Sequence, residues 1–101
     1  MSDLTTVSLI TIVAETALKS RLAKDLKQLG VSGYTVTAAN GEGSRNRRAG
    51  DVEGGNIMIQ SLVSRESSLK IMSHLEAEYF ENYAVVAWVS PAEVIRKERY
   101  S

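Results

Sequence analysis

The first long pattern in the chain is Val7-Ser8-Leu9-Ile10-Thr11-Ile12-Val13-Ala14, almost continuously apolar and rich in β-branched residues. That is the pattern of a strand buried on both faces in the middle of a sheet. Glu15-Thr16 breaks it, and Thr16 is placed to cap a helix. Leu18, Leu22, Leu26 and Leu29 then recur at spacings of four, four and three, with Lys19, Arg21, Lys24, Asp25, Lys27 and Gln28 between them. The spacing predicts an amphipathic helix, ended by Gly30. A second strand is predicted from Gly33 to Ala39, where Val36 and Ala38 alternate with Thr35, Thr37 and Ala39. A third, from Asn56 to Val63, turns Ile57, Ile59 and one of Leu62 and Val63 to the core. Ser64 caps a second helix with Leu69, Met72, Leu75 and Tyr79 as its apolar stripe, widened by Ile71 and Phe80 and running to about Glu81. Ala84 to Val89 is again continuously apolar and ends at Ser90-Pro91. The tail from Ala92 reads as a short edge strand or a frayed terminal turn.

The order β-α-β-β-α-β predicts an α+β, ferredoxin-like fold: a four-stranded antiparallel sheet with two helices on one face. Its 101 residues suit one domain, 1–101. In that topology the first strand is central and the last lies at an edge. An edge strand that is apolar throughout needs cover, and a partner subunit supplies it most simply.

Composition narrows the function by exclusion. Twelve basic and twelve acidic side chains give a net charge of +0, which argues against a nucleic-acid binder. Without cysteine there is no disulfide, thiol chemistry or thiolate metal site. No basic stretch precedes an apolar run at the N-terminus, and no apolar run approaches the ~20 residues that span a bilayer, so a soluble, cytoplasmic protein is expected. His74 stands alone among Met72, Ser73 and Leu75, with no nucleophile or base patterned around it. Asp51 with Glu53 and Glu76 with Glu78 read as solvated carboxylates. Neither a Gly-x-Ser-x-Gly elbow nor a P-loop occurs, and Gly41-Glu42-Gly43 lacks the third glycine of a dinucleotide fingerprint.

What remains is the polar stretch from Asn40 to Gly55, which holds five of the seven glycines and carries Arg45, Arg47 and Arg48. Glycines let a backbone approach an anion, and arginines offer planar paired donors to phosphate or carboxylate oxygens. The stretch has anion donors and no proton-transfer set, so it points to binding and sensing rather than turnover. Loops this long in a compact domain are often functional.

Gly33-Tyr34-Thr35-Val36-Thr37 followed by Gly41-x-Gly43, after a βα unit of this length, resembles the pattern of PII signal-transduction proteins. Ser90-Pro91-Ala92-Glu93-Val94-Ile95-Arg96 resembles their C-terminal strand. The run Gly41-Glu42-Gly43-Ser44-Arg45-Asn46-Arg47-Arg48, with Tyr83-Ala84 before the last strand, is similar to the PII-like branch linked to bicarbonate transport and the carboxysome, the SbtB and carboxysome-associated proteins. The resemblance implies a homotrimer with adenine nucleotide bound in clefts between subunits. It implies a flexible T-loop, about 40–55, that signals to a bicarbonate transporter or carboxysome-related partner, which would bring the protein to the membrane periphery. By position, Gly33, Tyr34 and Thr35 would lie near the adenine or ribose. Gly41, Gly43, Ser44, Arg45, Asn46 and Arg48 would form the phosphate side, and Ala84, Val85 and Val86 the other nucleotide-contacting segment. The best-known PII proteins carry Gly-Asp-Gly-Lys before the last strand. Here Asn82-Tyr83-Ala84-Val85 stands there, with Val85 at the lysine position. AMP, ADP or cyclic AMP is therefore expected ahead of ATP, with bicarbonate as a candidate co-ligand. The competing expectation is a small trimeric metal-binding or bicarbonate-sensing module without nucleotide regulation.

Overall fold

The structure, a computed structural model, describes residues 4–40 and 55–95. In chain order its elements are β1 (Thr5–Glu15), a 3-10 turn (Thr16–Leu18), α1 (Lys19–Gln28), β2 (Thr35–Ala39), β3 (Asn56–Val63), α2 (Arg65–Glu78) and β4 (Val86–Val94). The strands form one sheet in the order β2-β3-β1-β4, every neighbouring pair antiparallel. This is the expected ferredoxin-like arrangement, with β1 central and β2 and β4 at the edges.

Directly paired residues share a face, so the register divides the sheet. Ile10 lies opposite Ser61 and Val89, and Ile12 opposite Ile59 and Ala87. That face is buried in one cluster with Leu18, Leu22 and Leu26 from the α1 side and Ile71, Leu75 and Tyr79 from the α2 side. On the other face Thr11 lies opposite Gln60 and Trp88, and Val13 opposite Met58 and Val86. Here Trp88 stays 44% and Val86 53% exposed.

Local signals explain most boundaries. Gly30 takes φ 91°, and its N–H donates to the Lys27 carbonyl while Val31 N–H donates to Leu26, closing α1 in a Schellman motif. Ser64 caps α2, its hydroxyl accepting from Ser67 N–H at 3.1 Å. Thr16 does not cap α1. A 3-10 turn leads into the helix without a side-chain cap, and Thr16 N–H instead donates to the Gly55 carbonyl at 3.1 Å. β4 begins at Val86 and runs through Ser90-Pro91 to Val94. A proline is tolerated in an edge strand, where its missing N–H faces away from the ladder.

The buried face of α2 differs from the expected stripe. Ser68, Ile71 and Leu75 are buried, followed by Tyr79, whereas Leu69 is 51% exposed and Phe80 is exposed. One position rotates a helix face by about 100°. The small Ser68 side chain occupies the inner position because its hydroxyl is satisfied by the Arg65 carbonyl at 2.7 Å.

A polar cluster ties α1 to the end of α2. Tyr79, 0% exposed, donates its hydroxyl to Asp25 Oδ2 at 2.5 Å, and His74 Nε2 lies 2.8 Å from the same oxygen. Arg21 lies over the Tyr79 ring, 4.5 Å from its centroid, and donates to the Tyr83 hydroxyl at 3.0 Å. Burial pushes the Asp25 carboxyl up, but the hydrogen bonds from Tyr79 and His74 outweigh it and hold Asp25 below its ordinary value of 3.8. Burial, and then the bond to Asp25, push the Tyr79 phenol well above its ordinary value, so it remains a donor at neutral pH.

Two outcomes test this packing. Ile71→Ala should cost about 2–5 kcal/mol in denaturant unfolding and Leu69→Ala no more than about 0.5 kcal/mol; equal losses would place Leu69 in the core. Because the Asp25 value is depressed by folding, its contribution is fully present above 3.8 and is lost as pH falls through the lower folded value. Thermal melts from pH 6 to 2 should therefore show an acid limb that is shallower in Asp25→Asn.

Candidate functional site

The stretch that leads into β2 lines a groove. Ser32, Gly33, Tyr34 and Thr35 meet Leu9 from β1 and Gln60, Ser61 and Leu62 from β3 around a cavity of about 710 Å³. That size falls within the ~300–1,000 Å³ usual for small-molecule sites. The groove is held in shape by its own hydrogen bonds. Ser61, nearly buried, donates its hydroxyl to the Gly33 carbonyl at 2.6 Å, fixing the approach of β2 against β3. Gln60 donates its amide nitrogen to the buried Thr11 hydroxyl at 3.1 Å, which leaves the amide carbonyl as an acceptor. Tyr34 is exposed and offers a ring face.

Gly33 itself is not required by the protomer. Its φ is not positive, and a Cβ built there meets no heavy atom within 4 Å. A methyl group would therefore be accommodated in the isolated chain, so any demand for glycine comes from something that approaches from outside.

The second expected segment lies elsewhere. Val85 is 9% exposed and belongs to the hydrophobic core, so its side chain is turned inward and its backbone is what remains for a ligand. Val86 opens β4 and is exposed, and Ala84 is half-buried. Val85 N–H donates to the Tyr83 carbonyl at 3.0 Å, tightening the turn before the strand. In the sheet order, β2 and β4 are the two opposite edges. The row Thr35, Gln60, Thr11, Trp88 spans all four strands, about 14 Å at ~4.8 Å per step. Within one chain, then, Gly33–Thr35 and 84–86 do not share a pocket.

Gly41, Gly43, Ser44, Arg45, Asn46 and Arg48, and with them the T-loop, lie outside the described residues. The loop leaves the sheet at Ala39 and returns at Asn56, which are paired. Sequence reasoning missed Leu9, Gln60, Ser61 and Leu62. Gln60 carried a usable signal, a long polar side chain at an intermediate position of an apolar strand. Among the described residues, no three His, Asp or Glu side chains gather as a metal site, and no helix is long and apolar enough to cross a membrane.

Comparisons with known proteins bear on the family and the fold. The family model of nitrogen regulatory protein P-II matches residues 7–99. A protein of Thermus thermophilus assigned to PII-like signalling is 45% identical, with a TM-score of 0.84 over 98% of this chain and 99% of that one. CPII from Thiomonas intermedia, in a structure with ADP, AMP and acetate, is 25% identical with a TM-score of 0.84, covering 97% of each chain. A second CPII structure, with ADP, AMP and bicarbonate, is 26% identical with a TM-score of 0.80, covering 93% of this chain and 98% of that one. With a family match over nearly its whole length and the fold of PII-like proteins, this chain belongs to the nitrogen regulatory P-II family.

Proposed function

We propose that the protein is a PII-like regulatory sensor that binds adenine nucleotide between the subunits of a homotrimer. The observation that carries this reading is the placement of the two half-sites on opposite edges of one sheet. A contact that brings the β2 edge of one copy to the β4 edge of the next completes the site. Such an interface joins unlike surfaces, and repeated with a rotation of a third of a turn it gives a closed ring of three rather than a two-fold dimer. The sheet face carrying Trp88 and Val86, and the exposed start of β4, supply apolar surface for it.

The chemistry of the groove suits a nucleoside. Leu9, Leu62 and the Tyr34 ring offer apolar contact, the Gln60 carbonyl can accept from an exocyclic amine, and Gly33 allows close approach of backbone. Gly41, Gly43, Ser44, Arg45, Asn46 and Arg48 are assigned to the phosphates. Val85, buried and apolar, brings no cation to the outer phosphates, so ADP, AMP or cyclic AMP binds in preference to ATP. The CPII structures, with ADP and AMP, support an adenine nucleotide as ligand, and the acetate of one and the bicarbonate of the other support a small oxyanion as co-ligand. PII-family proteins are signalling regulators. This one is read as a sensor and not a catalyst, acting in the cytoplasm through the loop between β2 and β3 on a bicarbonate transporter or a carboxysome-associated protein.

Titration calorimetry with AMP, ADP, cyclic AMP and ATP, with and without bicarbonate, tests the reading. ADP and AMP should bind below millimolar and more tightly than ATP. Gly33→Ala should weaken them at least about threefold while leaving the melting temperature within about 2 °C, and Arg45→Ala with Arg48→Ala should weaken the phosphate-bearing ligands most. No binding below millimolar, with the arginine variant indistinguishable from the parent, overturns it.

A further inference from the structure

The cluster on the helical surface ends at the segment 84–86, and it is built around one tyrosine. The Tyr79 carbonyl accepts N–H groups from Asn82 at 3.1 Å and Tyr83 at 2.9 Å, and the Tyr83 carbonyl accepts from Val85 at 3.0 Å. The path from α2 to β4 therefore hangs on Tyr79 and Tyr83. Tyr79 is immobilised by burial and by Asp25, whose Oδ2 also meets His74. Tyr83 packs against the margin of the core without being enclosed by it. It is half-buried, its ring tilted 53° against Tyr79 at 5.8 Å between centroids. What reaches its far end is Arg21 from α1, bonded to the hydroxyl at 3.0 Å with its guanidinium 5.3 Å from the ring centroid.

An exposed arginine on a helix ordinarily contributes little to stability. Arg21 is exposed, yet its guanidinium meets two aromatic rings and a hydroxyl that together define the turn. Its effect thus falls on the position of the turn rather than on the global fold.

We propose that Arg21 is a positioning residue for nucleotide binding: by holding Tyr83 against Tyr79 it fixes the backbone of 84–86, which presents one half of the inter-subunit site. The inference rests on the nucleotide reading above. It assigns to α1, an element that contributes nothing to the groove around Gly33, control over the affinity of the same ligand. Lysine cannot replace Arg21, because a point charge does not reproduce the planar contact with both rings.

The test uses the full chain as parent, Arg21→Ala, Arg21→Lys, Tyr83→Phe and the double variant Arg21→Ala/Tyr83→Phe. In ligand-free protein, hydrogen exchange at the Tyr83 and Val85 amides should rise in Arg21→Ala and Tyr83→Phe, with β1 and β3 amides unchanged. ADP affinity should fall about tenfold in Arg21→Ala and in Arg21→Lys. It should fall less in Tyr83→Phe, and no further in the double variant than in Arg21→Ala, because the two residues act through one contact. Parent-like affinity in the variants of a parent that binds ADP overturns the inference and leaves the nucleotide reading standing. Arg21→Ala weakened beside an unaffected Tyr83→Phe also overturns it, since Arg21 then acts other than through Tyr83. A parent that binds no adenine nucleotide overturns both, whatever the exchange data show about the turn.

Discussion

Everything in this protomer is referred to the double pairing of β1. Because β1 bonds to β3 on one side and β4 on the other, its even-numbered side chains from Ser8 to Ala14 are enclosed by sheet on both flanks and by helices above. Ile10 and Ile12 thereby become the centre of the core, and Tyr79 closes the cluster from α2. The same pairing places β2 and β4 at the two rims, which separates the segment around Gly33 from the segment 84–86. The geometry that makes the fold cohere is the geometry that holds these two segments apart within one chain.

The division of labour between the faces follows from it. The helix-covered face holds the stabilising apolar contacts, with its polar atoms satisfied locally: Ser68 on the Arg65 carbonyl and Ser61 on Gly33. The opposite face mixes Thr11, Gln60 and Trp88 with aliphatic neighbours and leaves a groove at one rim. The helices, facing outward, carry the charged and aromatic cluster around Asp25.

The elements were legible in the sequence wherever periodicity carried the signal. β1, β3 and the leucine face of α1 follow from spacing alone, and Gly30 and Ser64 from their turn chemistry. Legibility failed where a polar residue took an inner place or an apolar one an outer place. Ser68 displaced Leu69 because a satisfied hydroxyl can be buried, and hydrophobicity alone does not register that. Ser90-Pro91 read as a strand end, but its cost depends on whether the strand is central or at an edge, which is a tertiary fact. For the site, Gly33, Tyr34 and Thr35 were legible as a local motif, and they do line the groove. Gln60 and Leu62 were not, because they reach the groove through strand pairing between distant positions, Gln60 opposite Thr35 of β2 and Leu62 opposite Leu9 of β1. The place of Val85 in the core was not legible, since an apolar residue just before a strand can face either way.

Pro91 has a consequence beyond its place in the strand. It sits between Ser90 and Ala92 on a rim whose neighbours are largely apolar, and it lies opposite Ser8. An uninterrupted apolar rim would template extended segments of other newly made chains. A single missing donor in the middle of β4 spoils that template without disturbing the bonds to β1. The proline thus serves as a gatekeeper for the newly made chain, blocking runaway strand addition along this rim.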